Sequence, residues 1–395
     1  MTNTSTYKQT PIGLIPTDWE VKKMGEIALV DNESLKSTTE PNYEFDYISL
    51  SDVDSDFFQI ETTKQIFKNA PSRARRIVKK GDILMSTVRP NLQGFSIVSN
   101  VVKDLIASTG FAVITASNCN NYFLYQYIFS NPIQKQFYNL IVGSNYPAIN
   151  SSDVKQLYIP IPPLPEQEKI ATILSTWDAA IAKCKVIIEQ LKIRNKGLLS
   201  ELLSSEKRKI INPFLKEVLV RNKNLEVTRV LSVTNSRGFI NQDEQFGRVV
   251  ASKDLSNYKI IIKNQFAYNP ARINVGSLDL LKKFDIGILS PMYVVFKTDE
   301  KQLLTDYFHY CLKSNIFKNS IQNFLQGSVR DSLSFEALCS MKFAIPPLQT
   351  QQKIACILDK AFEEATHFEN LLKHYQLQKK GLMQQLLTGK TRVKI

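Results

Sequence analysis

The sequence predicts an α+β fold in which two mixed α/β domains are separated by two long helices packed as an antiparallel coiled coil, the whole forming a pseudo-twofold repeat. Three observations predict it. "IPPLPEQEKIATIL" (161–174) returns 184 residues later as "IPPLQTQQKIACIL" (345–358). The stretch after each copy carries an apolar or small residue every three or four positions, the beat of a helix packed along another helix. The stretch before each copy instead mixes short β-type runs with Gly, Asn and Pro. These features divide the chain into a first mixed domain over 1–160, a helix over 161–210, a second mixed domain over 211–345 and a second helix over 346–395.

In the first domain "GDILMSTV" and "FAVI" read as strands, and a helical stretch follows near 122–129. Prolines 163 and 165 then set a helix start, and Glu166 and Glu168 suit the positive end of its dipole. The seam runs through Ile170, Leu174, Trp177, Ile181, Cys184, Ile188 and Leu191, misses Asn195, and resumes at Leu198 and Leu202. A helix over 165–205 would be about 60 Å long. In the second domain "KIIIKNQFAY" and "MYVVF" read as strands before a helix near 303–312. The second seam runs through Ile354, Leu358, Ala361, Ala365, Phe368, Leu372 and Tyr375, misses Lys379, and resumes at Leu382 and Leu386. Gly197 and Gly381 follow the two missed positions. Glycine there costs about 1 kcal/mol against alanine, which suggests close backbone approach or a tolerated defect inherited by duplication. Upstream the offset drifts to 183 between Arg89 and Arg272. Matching "WEVKKM" at Trp19 with "LEVTRV" at Leu225 gives 206, and would put about 23 extra residues in the first domain.

Composition fits a soluble globular protein of several domains, with 395 residues, 43% hydrophobic and 22% charged. The opening residues hold no apolar signal core, and no run reaches the roughly 18 apolar residues of a membrane span, so no membrane partner is expected. Five scattered cysteines favour reduced thiols and a cytoplasmic setting. A net charge of +13 suits a polyanionic partner. The first domain nonetheless balances, with 15 basic and 15 acidic residues over 1–160, and concentrates its cations in "SRARRIVKK" (72–80).

The two proline-started helices, the second ending "KKGLMQQLLTGKTRV", and the opening "IPTDWEVKKMGEI" and "RRIVKKGDILMSTVRPN" closely resemble the specificity (S) subunit of Type I restriction-modification enzymes. The resemblance spans essentially the whole chain. It implies that the mixed domains are target-recognition domains, each reading one part of a split, asymmetric double-stranded DNA target in the major groove. The helices would fix the gap, about 60 Å spanning at most about 18 base pairs. It further implies no catalysis and no cofactor on this chain. Adenine methylation would belong to two modification (methyltransferase) subunits, and cleavage to restriction (translocase-nuclease) subunits, with S-adenosylmethionine, ATP and Mg on those partners. Outward helix residues such as Lys183, Lys185, Glu189, Lys192 and Arg194 would help dock them.

Under that reading, base contacts fall to residues able to make bidentate bonds. They are Arg73, Arg75, Arg76 and Arg89, and Ser144, Asn145 and Tyr146 of "GSNYPAIN", in the first domain. In the second they are Arg272, Asn274, Ser328 and Arg330. Lys79 and Lys80 suit phosphates. Adjacent Arg75 and Arg76 would point to opposite faces of a strand, and Arg89 and Arg272 could instead be ion-pair partners. Each arginine has the plainer alternative of a solvated surface residue.

Other signals are weaker. "TGKT" (388–391) lacks the P-loop glycine at 384 and follows a helix rather than a strand. "NPF" (212–214) lacks the second proline of an amino-methyltransferase tetrapeptide. His309, His367 and His374 lack metal-ligand spacing. A stand-alone nuclease or methyltransferase with a duplicated fold is the alternative function, without a motif to carry it. A coiled-coil scaffold that binds only proteins is a third, disfavoured by local basicity and two dissimilar domains.

Overall fold

A computed structural model describes residues 6–54, 59–100, 103–140, 147–204, 208–235, 237–246, 254–326 and 332–395. It divides into two compact units, one of Met1–Ile188 with Phe368–Ile395 and one of Glu189–His367. The division falls within both long helices, Leu164–Leu202 and Leu348–Leu386, so each unit owns a mixed domain and part of each helix.

In the first unit one antiparallel sheet has the order Phe95–Ile97, Ile83–Ser86, Phe111–Ala116, Ala28–Val30. The strand Ile83–Ser86 is buried throughout, as its unbroken apolar run requires. A second sheet has the order Thr63–Ile66, Glu44–Ile48, Leu105–Ser108, Ala74–Val78, with one parallel pair at its centre. The helix Asn121–Ile128, capped by the Asn120 side chain, covers the first sheet with Phe123, Leu124 and Tyr127 in the core. The strand Tyr158–Ile161 then pairs with Glu20–Lys23 and leads into the first long helix.

The second unit repeats the first sheet in the same order: Leu278–Leu280, Phe266–Tyr268, Val294–Thr298, Leu215–Glu217. The helix Thr305–Lys313 follows, starting 184 residues after its counterpart. Lys342–Ala344 then pairs with Arg208–Ile210 before the second long helix. This pairing corrects the expected N-terminal alignment. Met24 N–H donates to the Leu157 carbonyl as Ile211 N–H donates to that of Met341, so Met24 matches Ile211 at an offset of 187. Ala28 matches Leu215 at the same offset, and at the shared strand after it Ile83 matches Phe266, an offset of 183, so the first domain gains only 187 − 183 = 4 residues in between, not 23. "LEVTRV" resembles "WEVKKM" in letters but not in place.

The helices run antiparallel in each unit. In the first, Trp177 meets Tyr375 edge-on with centroids 5.6 Å apart, and the Cys184 thiol donates to the Phe368 carbonyl at 3.4 Å. Cys184 and Phe368 are themselves 184 apart, so a residue faces its own repeat mate, as an antiparallel pair of equivalent helices requires. In the second unit Arg194 pairs with Glu364 at 2.7 Å. Ile170, Leu174, Ile181, Ile188, Leu191, Ile354 and Leu358 are buried, and Trp177, Phe368 and Leu372 half-buried.

The two missed positions turn out to be polar parts of the seam. Asn195 is buried and donates to the Ala361 carbonyl at 2.9 Å. Lys379 forms an ion pair with Asp178, whose other oxygen accepts from Gln126 at 2.6 Å. A slipped register would leave these groups buried and unpaired, at several kcal/mol, so they fix the alignment of the helices. The glycines give no close approach. A Cβ at Gly197 or Gly381 would meet no atom within 4 Å, which leaves the inherited-defect reading.

The repeated motif is explained by a glutamine the sequence reading passed over. Gln167, fully buried, donates to the Pro162 carbonyl at 2.8 Å and accepts the backbone N–H of Asn120, the cap of the domain helix, at 2.8 Å. Gln351 does the same 184 residues on, donating to Pro346 at 2.8 Å and Gln302 at 2.9 Å and accepting Leu304 N–H at 2.9 Å. One amide thus ties the start of each domain helix to the start of each long helix. Replacing either glutamine by leucine leaves a buried N–H and C=O without partners. We expect a loss of about 2–3 kcal/mol of stability, read as a lowered midpoint of urea unfolding.

Candidate nucleic-acid interface

Each unit carries the same exposed turn between the same two strands of the shared sheet. In the first it is the 3-10 turn Pro90–Leu92 preceded by Arg89; in the second it is Pro270–Val275. "RPNL" and "RINV" fall at the offset of 183, and Arg89, Asn91 and Leu92 are exposed, as are Arg272, Asn274 and Val275; Arg89 precedes its turn, whereas Arg272 lies within its own. Each turn closes on a left-handed residue, Gln93 (φ 55°) or Gly276 (φ 82°). Arg89 is itself left-handed at φ 50°, a conformation that costs a non-glycine residue about 1 kcal/mol or more and persists only where the surroundings impose it. They do so here. Arg89 N–H donates to the Pro147 carbonyl at 2.7 Å, and Ile149 N–H to that of Thr87 at 3.0 Å.

These bonds bring the exit of "GSNYPAIN" against the first turn. In the second unit Leu333 N–H donates to the Pro270 carbonyl at 3.2 Å, placing the exit of the matching segment likewise. Ser144, Asn145, Tyr146, Ser328 and Arg330 themselves lie outside the described residues. Arg272 has no ion-pair partner among the described residues, so the ion-pair alternative finds no support there.

The "SRARRIVKK" run does not form one patch. Arg76 pairs with buried Asp31 at 2.9 Å. That carboxylate also accepts Val113 N–H at 2.9 Å and the Ser151 hydroxyl, so Arg76 is a structural residue. Arg75 lies over the Phe67 ring, its guanidinium carbon 4.9 Å from the centroid. Lys79 pairs with Glu33, and Lys80 is exposed beside it. Arg73 is exposed at the far end of the strand, about 17 Å along five residues. Its carbonyl accepts Thr109 N–H at 2.8 Å, next to Gly110, which bonds Thr87 at the base of the turn. Of the run, Arg73 is the residue that these backbone bonds connect to the base of the turn.

Two features escaped the sequence reading. Leu92 and Gln93 open into a cleft of about 910 Å³ that also holds Lys135, Lys379, Lys380 and Lys390, with no carboxylate in its lining. Lys379 is engaged by Asp178, while Lys135, Lys380 and Lys390 are exposed. In the second unit exposed Arg237 stands on the hairpin whose Asn235 packs against Gly276, beside the turn of Arg272. Neither was visible as a run of charge.

The "TGKT" glycine serves packing. Gly389 is left-handed (φ 69°), and a Cβ there would lie 2.4 Å from Pro16. This lets Arg392 reach Glu166 at 2.7 and 2.8 Å and Asp18 at 2.8 and 2.9 Å, while Trp19 donates to Glu166 at 3.0 Å. The Arg392 guanidinium holds the Asp18 carboxyl below its usual range. His309 is buried 3.7 Å from Asp279, and burial drives it down to about 2, so it stays neutral. No cluster of His, Cys, Asp and Glu able to hold a metal occurs among the described residues, and no helix is long and apolar enough to cross a membrane.

A duplicated unit with exposed Arg-x-Asn turns at matching positions, and a basic cleft in the first unit, suits a polyanionic partner in two parts. Residues 16–192 and 255–375 match the family described as the Type I restriction modification DNA specificity domain, and the chain belongs to that family. The specificity subunit assigned to the MjaX type I restriction enzyme of Methanocaldococcus jannaschii is 26% identical, over 98% of this chain and 97% of its own. The MjaIX specificity subunit of the same organism is 24% identical, over 98% and 96%. The crystal structure of a Type-I restriction-modification system S subunit from M. genitalium shares the fold with a TM-score of 0.62 at 12% identity, covering 100% of this chain and 98% of that one. A chain from a structure of type I R-M complex assembly and conformational transition gives 0.57 at 17%, over 95% and 99%.

The geometry separates two arginines that adjacent numbering groups together. Arg76→Ala should cost about 2 kcal/mol, because it strands a buried carboxylate. Arg73→Ala should leave stability within about 0.5 kcal/mol yet weaken DNA binding. Thermal unfolding and fluorescence anisotropy on the same two variants check both.

Proposed function

We propose that this chain is the DNA-recognition subunit of a Type I restriction-modification complex, with each mixed domain reading one part of a bipartite, asymmetric target. The observation that carries the reading is the pair of exposed turns at matching positions on two domains that share a sheet and a helix but differ in the segments around them. Two different readers predict two different half-sites, so the target is not palindromic. The first reader contacts DNA through Arg73, Arg89 and the 143–149 segment, with Lys80 and the lysine cleft on phosphates; the second through Arg272, Asn274 and the 327–333 segment.

Two long helices of 39 residues each, about 58 Å at 1.5 Å per residue, set the gap between half-sites. Their outward faces dock two modification subunits, which carry S-adenosylmethionine and methylate adenine. Restriction subunits supply ATP-driven translocation and Mg-dependent cleavage. The assembly works in the cytoplasm. On this chain the residues bind and position DNA, and none enters bond chemistry.

The test is genome-wide mapping of methylated adenines in cells carrying this chain with its modification subunit, against cells with the chain deleted. The expected result is a split, non-palindromic motif that vanishes with the deletion. Methylation or cleavage by the purified chain alone would overturn the proposal.

A further inference from the structure

We propose that the twin turns, Arg89-Pro90-Asn91-Leu92 and Arg272-Ile273-Asn274-Val275, are sequence-independent anchors on the DNA backbone rather than readers of bases. The inference rests on the DNA-recognition function above and assigns the turns a different task from the rest of each domain. What two domains that read different sequences hold in common is not what distinguishes their sequences. The turns are such a shared feature in position and residue type, although Arg89 precedes the first with a left-handed backbone and Arg272 lies inside the second. They connect the same strands of the same sheet and repeat arginine and asparagine at matching positions. Each ends in an exposed aliphatic residue, Leu92 at 67% and Val275 at 60% exposure, and each closes on a left-handed cap.

Their surroundings, by contrast, differ. Both turns meet the end of a matching segment, but these segments differ in letters ("GSNYPAIN" and "GSVRDSL"), and the first turn adds Arg73 where the second adds the Arg237 hairpin. The unlike parts therefore carry the unlike sequences. The setting of the first turn also suits a phosphate strand. Leu92 and Gln93 continue into the cleft of Lys135, Lys380 and Lys390, where no carboxylate competes for the cations. Backbone contacts fix where a protein sits on a duplex without reporting its sequence, and a turn fixed in the fold presents its arginine and asparagine on an exposed rim. The strained Arg89 backbone is accounted for on the same terms, since the bond to Pro147 holds the turn in place before DNA arrives.

The test uses the chain assembled with its modification subunits and compares Arg89→Ala, Arg272→Ala, Arg89→Lys and Arg272→Lys with the unaltered complex. Three readouts apply: DNA affinity, its salt dependence and the methylated motif. For anchors, each alanine variant weakens binding roughly tenfold and lowers the salt slope by about one, while both half-sites stay as they were. Lysine restores most of the affinity, because a point charge suffices for a phosphate. A single position turning degenerate in the half-site of the altered turn, unrescued by lysine, overturns the inference and makes the turn a reader. Unchanged affinity and slope in both alanine variants overturns it as well. If the unaltered complex yields no split motif, the recognition function itself fails, and that outcome is distinct from the other two.

Discussion

Two buried glutamines fix how each long helix leaves its domain, and the architecture depends on that joint. A proline-started helix after a strand could swing, because the prolines supply no N–H and the first turn has unpaired donors. Gln167 and Gln351 remove that freedom with one side chain each, bonding the proline turn on one side and the capping residue of the domain helix on the other. The Gln126–Asp178 and Tyr310–Asp359 bonds, both 2.6 Å and matched at positions 126 and 310, tie the same domain helices further along the long ones. Domain and helix therefore move as one piece within each unit.

The seam adds alignment to stiffness. Apolar contacts alone tolerate sliding by a heptad, whereas Asn195 against the Ala361 carbonyl and Lys379 against Asp178 do not. The first unit is locked once more by Arg392, which joins the last residues of the chain to Asp18 and Glu166. The same residues that read in sequence as a broken phosphate-binding motif thus close the unit on itself.

The long helices, their antiparallel pairing and the repeat were legible because periodicity and a 184-residue offset survive without knowledge of contacts. The glutamine bridge was not, since a glutamine in the first turn of a helix has the composition of a surface residue and only its burial reveals its task. The N-terminal alignment failed because a six-letter likeness at Leu225 outweighed the strand pairing that places Ile211 opposite Met341. The basic run misled for a related reason. Side chains on a strand alternate, and Asp31, Phe67 and Glu33, all distant in sequence, claim Arg76, Arg75 and Lys79. The turns at Arg89 and Arg272 were found because the repeat placed them in register, and their neighbours Lys135 and Arg237 were missed because folding alone brings them near.

The most direct measurement inserts one heptad into each long helix, after Cys184 and after Phe368, where the repeat mates meet, and maps the methylated motif of the assembled complex. Seven residues add about 10 Å to a helix, equivalent to about 3 base pairs, and leave the seam in phase. Both half-sites should stay unchanged, with the gap between them longer by about that amount. An unaltered gap, or a change in either half-site, would contradict that expectation.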